Sequence, residues 1–155
     1  MQVALTPLSS ADTPWLLHVA EPYFNELVPG FGQLAQDRFD IWWTDADRAA
    51  YAILVNDKRC GFALIRRCED GHHEISEFCI VPSARNAGTG THAATLCLRQ
   101  HLGPWRIGVA SALPGTARFW DRLLKTTPGI TDLAQGPALT PSQAHSYTFT
   151  YRNTP

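Results

Sequence analysis

Glu77-Phe-Cys-Ile-Val-Pro-Ser-Ala-Arg85-Asn-Ala-Gly88-Thr-Gly90-Thr91 is the stretch on which the reading of this chain turns. Its first residues continue a strand that ends at Pro82, a tight loop follows, and a helix starts at the glycines. Such a turn builds an anion cradle. Gly88 and Gly90 let backbone N–H groups approach a ligand with no Cβ in the way, and the first helical turn leaves about four N–H groups without internal acceptors. The helix dipole favours negative charge at that end by about 0.3–1 kcal/mol. Arg85 is able to fork two donors onto a phosphate, so the stretch suits a diphosphate. It lacks both the G-x-G-x-x-G order of a dinucleotide fold and the Gly-Lys-Ser/Thr of a P-loop. The plainer alternative is a Gly-rich strand-to-helix turn with Arg85 in solvent.

Working outward, His73–Val81 reads as the strand that feeds this loop, and Gly88–Leu102 as the helix that leaves it, stopped by Gly103-Pro104. Upstream, Ala50–Val55 and Cys60–Arg67 flank Asn56-Asp-Lys-Arg59 as a hairpin. Gln2–Leu5 reads as a first strand. Asp12 or Thr13 caps a helix that has Pro14 in its first turn and Trp15, Val19, Tyr23 and Phe24 at helical spacing. Pro22 is expected to bend or end that helix. Leu34–Trp43 reads as a second, shorter helix. Downstream, Trp105, Ile107 and Val109 alternate as a strand, Thr116–Leu124 is a helix, and a loop rich in Pro and Gly leads to a last strand at Ser146–Tyr151. The order predicts an α/β (α+β) fold around a mostly antiparallel sheet.

At 155 residues the chain fits one domain, 1–155, without repeat or linker. Its 45% hydrophobic and 17% charged residues suit a globular protein and oppose disorder. A net charge of −1 disfavours a nucleic-acid partner, and no apolar run is long enough to span a membrane. Met1–Thr6 carries no signal-peptide pattern, so a cytoplasmic location is expected. Cys60, Cys68, Cys79 and Cys97 stand singly and are expected to be reduced. Cys60 and Cys68 with His72-His73 match no zinc spacing, so no metal is expected. Residues 1–50 carry seven carboxylates against Arg38 and Arg48, while the remainder is net basic. The split suggests an anion on the C-terminal side and a cation on the N-terminal side, or simply solvated acidic helix faces.

The run Glu77 to Gly90, with Pro82 ahead of Arg-Asn-Ala-Gly-Thr-Gly, resembles the acyl-CoA-binding motif of the GNAT N-acetyltransferase superfamily. The element order and Ala-Arg-Phe-Trp120 after the following strand are similar too. The resemblance implies a sheet splayed between the His73–Val81 and Trp105–Ala110 strands, flanked by helices on both faces, with acetyl-CoA as co-substrate in the gap. By the same resemblance, backbone groups of Cys79 and Ile80 bond the pantetheine arm. The N–H groups of Arg85, Asn86, Ala87, Gly88, Thr89, Gly90 and Thr91 hold the diphosphate. Trp120 walls the channel or belongs to the core.

The implied reaction is acetyl transfer to a primary amine of a small molecule or amino-acid-like acceptor, by direct attack in a ternary complex. A lysine-like amine of pKa about 10.4 costs about 4.6 kcal/mol to deprotonate at pH 7, so a base is useful. Glu77 occupies a position that is often acidic in the family and is the expected catalytic base. Glu74 is the other candidate, and the plainer reading pairs Glu77 with Arg66 or Arg67. Many family members carry a Tyr on the later helix as acid to the thiolate. Here Trp120 is the aromatic, and its indole is no practical proton donor, which leaves Ser111, Tyr147 or no acid at all. The acceptor side is expected to be acidic and aromatic, with Tyr23, Phe24, Glu26, Phe31, Asp37, Asp40, Trp42 and Trp43, and to attract a cationic amine. A non-catalytic acyl-CoA-sensing module and a peptide or protein N-acetyltransferase are the alternatives. Edge strands near the C-terminus permit a homodimer.

Overall fold

The structure is a computed structural model that describes residues 1–153; Thr154 and Pro155, included in the expected domain, lie outside the described residues. The strands are β1 (Val3–Pro7), β2 (Arg48–Val55), β3 (Lys58–Arg67), β4 (His73–Ile80), β5 (Gly103–Ala110), β6 (Ile130–Gly136) and β7 (Gln143–Tyr151). The helices are α1 (Thr13–Leu27), α2 (Ile41–Thr44), α3 (Thr89–Gln100) and α4 (Pro114–Thr126). The strands form one open sheet in the order β1-β2-β3-β4-β5-β7-β6. Every pair is antiparallel except β4 with β5, which run parallel.

Alternation along β3 assigns the two faces of the sheet. Phe62 and Leu64 pack with Leu16, Ala20 and Phe24 of α1, whereas Ala63 and Ile65 pack with α3 and α4 on the opposite side. The β2–β3 connection is the two-residue turn Asn56-Asp57, both with positive φ (49° and 68°). That is the hairpin geometry whose twist matches its strands and which Asn and Asp tolerate.

Three expectations need correction. Pro22 does not end α1, which continues to Leu27. The proline removes one internal hydrogen bond, but Leu16, Ala20 and Phe24, spaced four apart on the buried face, hold the helix against the sheet on both sides of it. The second helix is confined to Ile41–Thr44. Ahead of it the chain winds in three-residue turns (Arg38 N–H to the Ala35 carbonyl, Asp40 N–H to Asp37, Trp42 N–H to Phe39). Its two buried side chains, Leu34 and Phe39, stand five residues apart, a spacing that one α-helical face does not serve. Thirdly, the Pro- and Gly-rich tail contains β6. This outer strand has only Ile130 and Leu133 against the core and is interrupted between Thr131 and Ala134, where Asp132 has φ 56°. It offers no apolar alternation to read.

The splay between the fourth and fifth strands is present. Pairing of β4 with β5 is limited to His73, Glu74 and Ile75 opposite Trp105, Arg106 and Ile107. At the same point Ser76 is an extra residue against β3, since Ile75 faces Ile65 and Glu77 faces Leu64. The bulge sharpens the local twist and re-aims the strand. Beyond it β4 departs from β5, and Glu74 and Glu77 fall on one face, opposite Arg66 and Leu64.

Candidate active site

The parted strands open a cleft of about 1780 Å³ that runs from α1 and the 31–42 segment, past β4, to α4 and the loop before α3. Glu77, Tyr23 and Arg38 all line it. The Tyr23 hydroxyl donates to Glu77 Oε2 at 2.6 Å, and the Phe78 N–H donates to the same hydroxyl oxygen at 3.4 Å. Burial raises the Glu77 carboxyl to about 7, against the opposing effects of the Tyr23 hydrogen bond and the Arg38 charge. Burial and the adjacent carboxylate push the Tyr23 phenol well above its ordinary value, so it stays a donor.

The two carboxylates of β4 differ in their partners. Glu74, not Glu77, takes the arginines: Arg66 at 3.1 Å and Arg106 at 3.6 Å. The pairing of Glu77 with Arg66 or Arg67 is absent. Nothing local in the sequence announces Tyr23 as the partner of Glu77, because 54 residues separate them.

At the other end of the cleft, Gly88 caps α3 with φ 81°, a left-handed conformation that a side chain would strain. Gly90 serves a different need. A Cβ there would stand 3.2 Å from the Phe119 ring, so its absence lets α3 approach α4. The first helical bond closes from the His92 N–H to the Gly88 carbonyl. The N–H groups of Asn86, Ala87, Gly88, Thr89, Gly90 and Thr91 find no backbone acceptor among the described residues. No acidic side chain occupies the first turn of α3. This row of donors at a helix N-terminus is fit to hold a diphosphate.

Arg85 is placed differently from expectation. Its Nε donates to the Ile80 carbonyl at 2.7 Å, and its two terminal nitrogens fork onto Glu26 at 3.0 and 2.9 Å. Its own N–H turns back to Pro82 at 3.3 Å. The guanidinium thus braces the loop against β4 and α1 instead of presenting a fork to a phosphate. Thr89 is buried, its hydroxyl 3.6 Å from Met1 Sδ, so its backbone alone faces the cradle. Just past β4, the Val81 N–H donates to the Cys60 carbonyl, and strand alternation turns the Ile80 polar groups to the other side, where the carbonyl receives Arg85 and the N–H faces the unpaired edge. The Cys79 side chain packs on the α1 face, and burial pushes its thiol up to about 12.

Trp120 is only 5% exposed and belongs to the core on the α3–α4 face while also lining the cleft. It meets Phe78 edge-on at 5.5 Å and Phe119 at 4.9 Å. Neither candidate for an acid points into the gap. The Ser111 hydroxyl donates to the Ser142 carbonyl at 2.9 Å, and the Tyr147 hydroxyl to Asp121 at 3.0 Å.

The acceptor end departs from the acidic expectation. Tyr23, Phe24, Glu26, Phe31 and Trp42 line it, but Asp37, Asp40 and Trp43 do not. Arg38 and Arg48 line it instead. Trp43 is tied to Thr13 by a 3.0 Å hydrogen bond from its indole N–H. Among the described residues no group of three or more His, Cys, Asp or Glu is placed to hold a metal ion, and no helix is long and apolar enough to cross a membrane.

The profile of the family described as "Acetyltransferase (GNAT) family" matches residues 16–123, more than half of the chain. No curated protein is significantly similar to it in sequence. Solved structures share the fold. The diaminobutyrate acetyltransferase of Paenibacillus lautus, determined with L-2,4-diaminobutyric acid and coenzyme A, is 8% identical with a TM-score of 0.73, over 99% of each chain. An acetyltransferase from Thermus thermophilus is 14% identical with a TM-score of 0.71, over 96% of each. The ribosomal-protein alanine N-acetyltransferase of Escherichia coli is 12% identical with a TM-score of 0.63, over 99% of this chain and 97% of that one.

Proposed function

The chain belongs to the GNAT acetyltransferase family, and from that premise we propose that it transfers an acetyl group from acetyl-CoA to the primary amine of a small or amino-acid-like acceptor, by direct attack in a ternary complex. The observation that carries this reading is the setting of Glu77: a half-buried carboxyl that lines the cleft, held by a tyrosine and in no ion pair with an arginine among the described residues. Of the solved structures named above, one has L-2,4-diaminobutyric acid as its substrate and another is named for an alanine of a ribosomal protein, so the fold alone does not select the acceptor.

In this mechanism the N–H groups from Asn86 to Thr91 hold the diphosphate, and the unpaired edge of β4 at Ile80 orients the pantetheine arm. Glu77, raised to about 7, takes a proton from the ammonium directly or through one water. The amine lone pair forms the N–C bond at the thioester carbonyl as the C–S bond breaks, and the nitrogen then gives up its second proton to water. A simple thiol has a pKa near 8.5, so the sulfur is able to leave as thiolate and collect its proton from water. No side-chain acid is required, which fits Trp120 on α4.

Thiol release from acetyl-CoA across a panel of primary amines tests the proposal, together with calorimetric titration by acetyl-CoA. Saturable binding with amine-dependent release is expected. Absence of acetyl-CoA binding, or binding with no release for any amine or peptide N-terminus, would overturn it.

A further inference from the structure

The arginines on the acceptor side of the cleft are not equivalent. Arg48 is held by Asp45 at 3.1 Å, Arg66 by Glu74 at 3.1 Å and Arg85 by Glu26 at 2.9 Å. Arg38 forms no ion pair among the described residues, although Asp37 and Asp40 flank it in sequence. Its Cζ lies 4.3 Å from the centroid of Phe24 and 5.2 Å from that of Phe31, two rings that are themselves stacked. A guanidinium held over aromatic faces by its charge has N–H donors left for a hydrogen-bonding partner. Arg38 shares the cleft with Glu77, and its charge is felt there. The rim around it is apolar: Val28, Phe31 and Ile41 are exposed by 42%, 38% and 47%.

We propose that Arg38 binds a carboxylate of the acceptor, so that the amine acetylated at Glu77 belongs to a molecule that also carries a carboxylate and an apolar body. The proposal rests on the acetyltransferase reading above and narrows its acceptor. A purely cationic amine would meet Glu77, since Glu26 and Glu74 are already paired with arginines, and would be repelled by Arg38. A zwitterion places opposite charges against both. The guanidinium fork matches the two oxygens of a carboxylate, while Phe31, Ile41 and Trp42 cover the apolar part.

The test compares L-phenylalanine, L-leucine and 6-aminohexanoate with their carboxamides as acceptors, in the wild-type protein and in Arg38→Met and Arg38→Lys. In the α-series the amide's amine is the less basic, so intrinsic reactivity at neutral pH favours the amide, and preference for the acid must come from binding. We expect kcat/KM for at least one acid to exceed that of its amide by tenfold or more, chiefly through KM. The ratio should fall toward one in Arg38→Met and be partly kept in Arg38→Lys. Amides equal to acids, a ratio unchanged in Arg38→Met, or acetyl-CoA binding with no acid turned over would each overturn the inference. Acetyl-CoA binding with release confined to amines lacking a carboxylate would overturn it and leave the proposed function standing. Failure to bind acetyl-CoA would overturn both.

Discussion

The Tyr23 hydroxyl on α1 donates a 2.6 Å hydrogen bond to Glu77 Oε2 on β4, the face of the sheet from which an acceptor would enter. The bond stabilises the ionised carboxyl and opposes the effect of burial. Tyr23→Phe removes that support and leaves the ring in place. The apparent pKa on the acid side of the kcat/KM profile should move upward by about one pH unit. A profile that stays in place would show that Tyr23 only packs.

Glu77→Gln should lower kcat by about 10²–10⁴-fold and flatten the acid limb expected near pH 7 for the wild type. Steady-state rates from pH 6 to 9 measure both. Full turnover across that range would remove Glu77 as the base.

The same carboxyl makes stability depend on pH. Its pKa rises from 4.5 to about 7 on folding, so between those values the folded protein binds more protons than the unfolded chain. Stability from this group is therefore present at low pH and is lost as pH rises through about 7, by about 3 kcal/mol in all. Denaturant unfolding at pH 5 and pH 8 should show the decline in the wild type and lack this contribution in Glu77→Gln.

Gly88→Ala places a Cβ on a residue with φ 81° and should cost about 1–2 kcal/mol, with weaker acetyl-CoA binding as the row of N–H groups shifts. Gly115, in α4 with open space around its Cα, should instead gain a few tenths to about 1 kcal/mol on substitution by Ala. Thermal melting and calorimetry on the two variants distinguish conformational need from mere glycine content.

Trp120→Ala should destabilise by about 3–5 kcal/mol, as for a large aromatic removed from a packed core. Trp120→Phe should keep kcat within a few-fold, because the indole moves no proton. A collapse of kcat in the folded Phe variant would assign the indole a chemical role.

Much of the fold was legible because it is written in short-range patterns. Apolar alternation marked β5, the turn Asn56-Asp-Lys-Arg59 between two apolar runs marked the hairpin of β2 and β3, and the glycines after Pro82 marked the start of α3. Where the local signal was misleading or weak, the reading failed. Pro22 raised the expectation of a bend or an end in a helix that tertiary packing carries on to Leu27, and the 34–43 segment, read as a helix, has its buried residues five apart. β6 lacks alternation altogether because, apart from Ile130 and Leu133, it does not face the core.

For the site, the sequence by itself determined the donors: a glycine-rich turn into a helix, with Glu77 a few residues upstream on the strand. Only the tertiary structure decided what each charged group faces. It gave Arg85 to Glu26, Arg66 to Glu74 and Tyr23 to Glu77, and among the described residues it left Arg38 without a carboxylate. The reason is physical. Backbone conformation and periodicity depend on neighbours within a few residues, whereas desolvation and charge pairing depend on side chains delivered by elements tens of residues away.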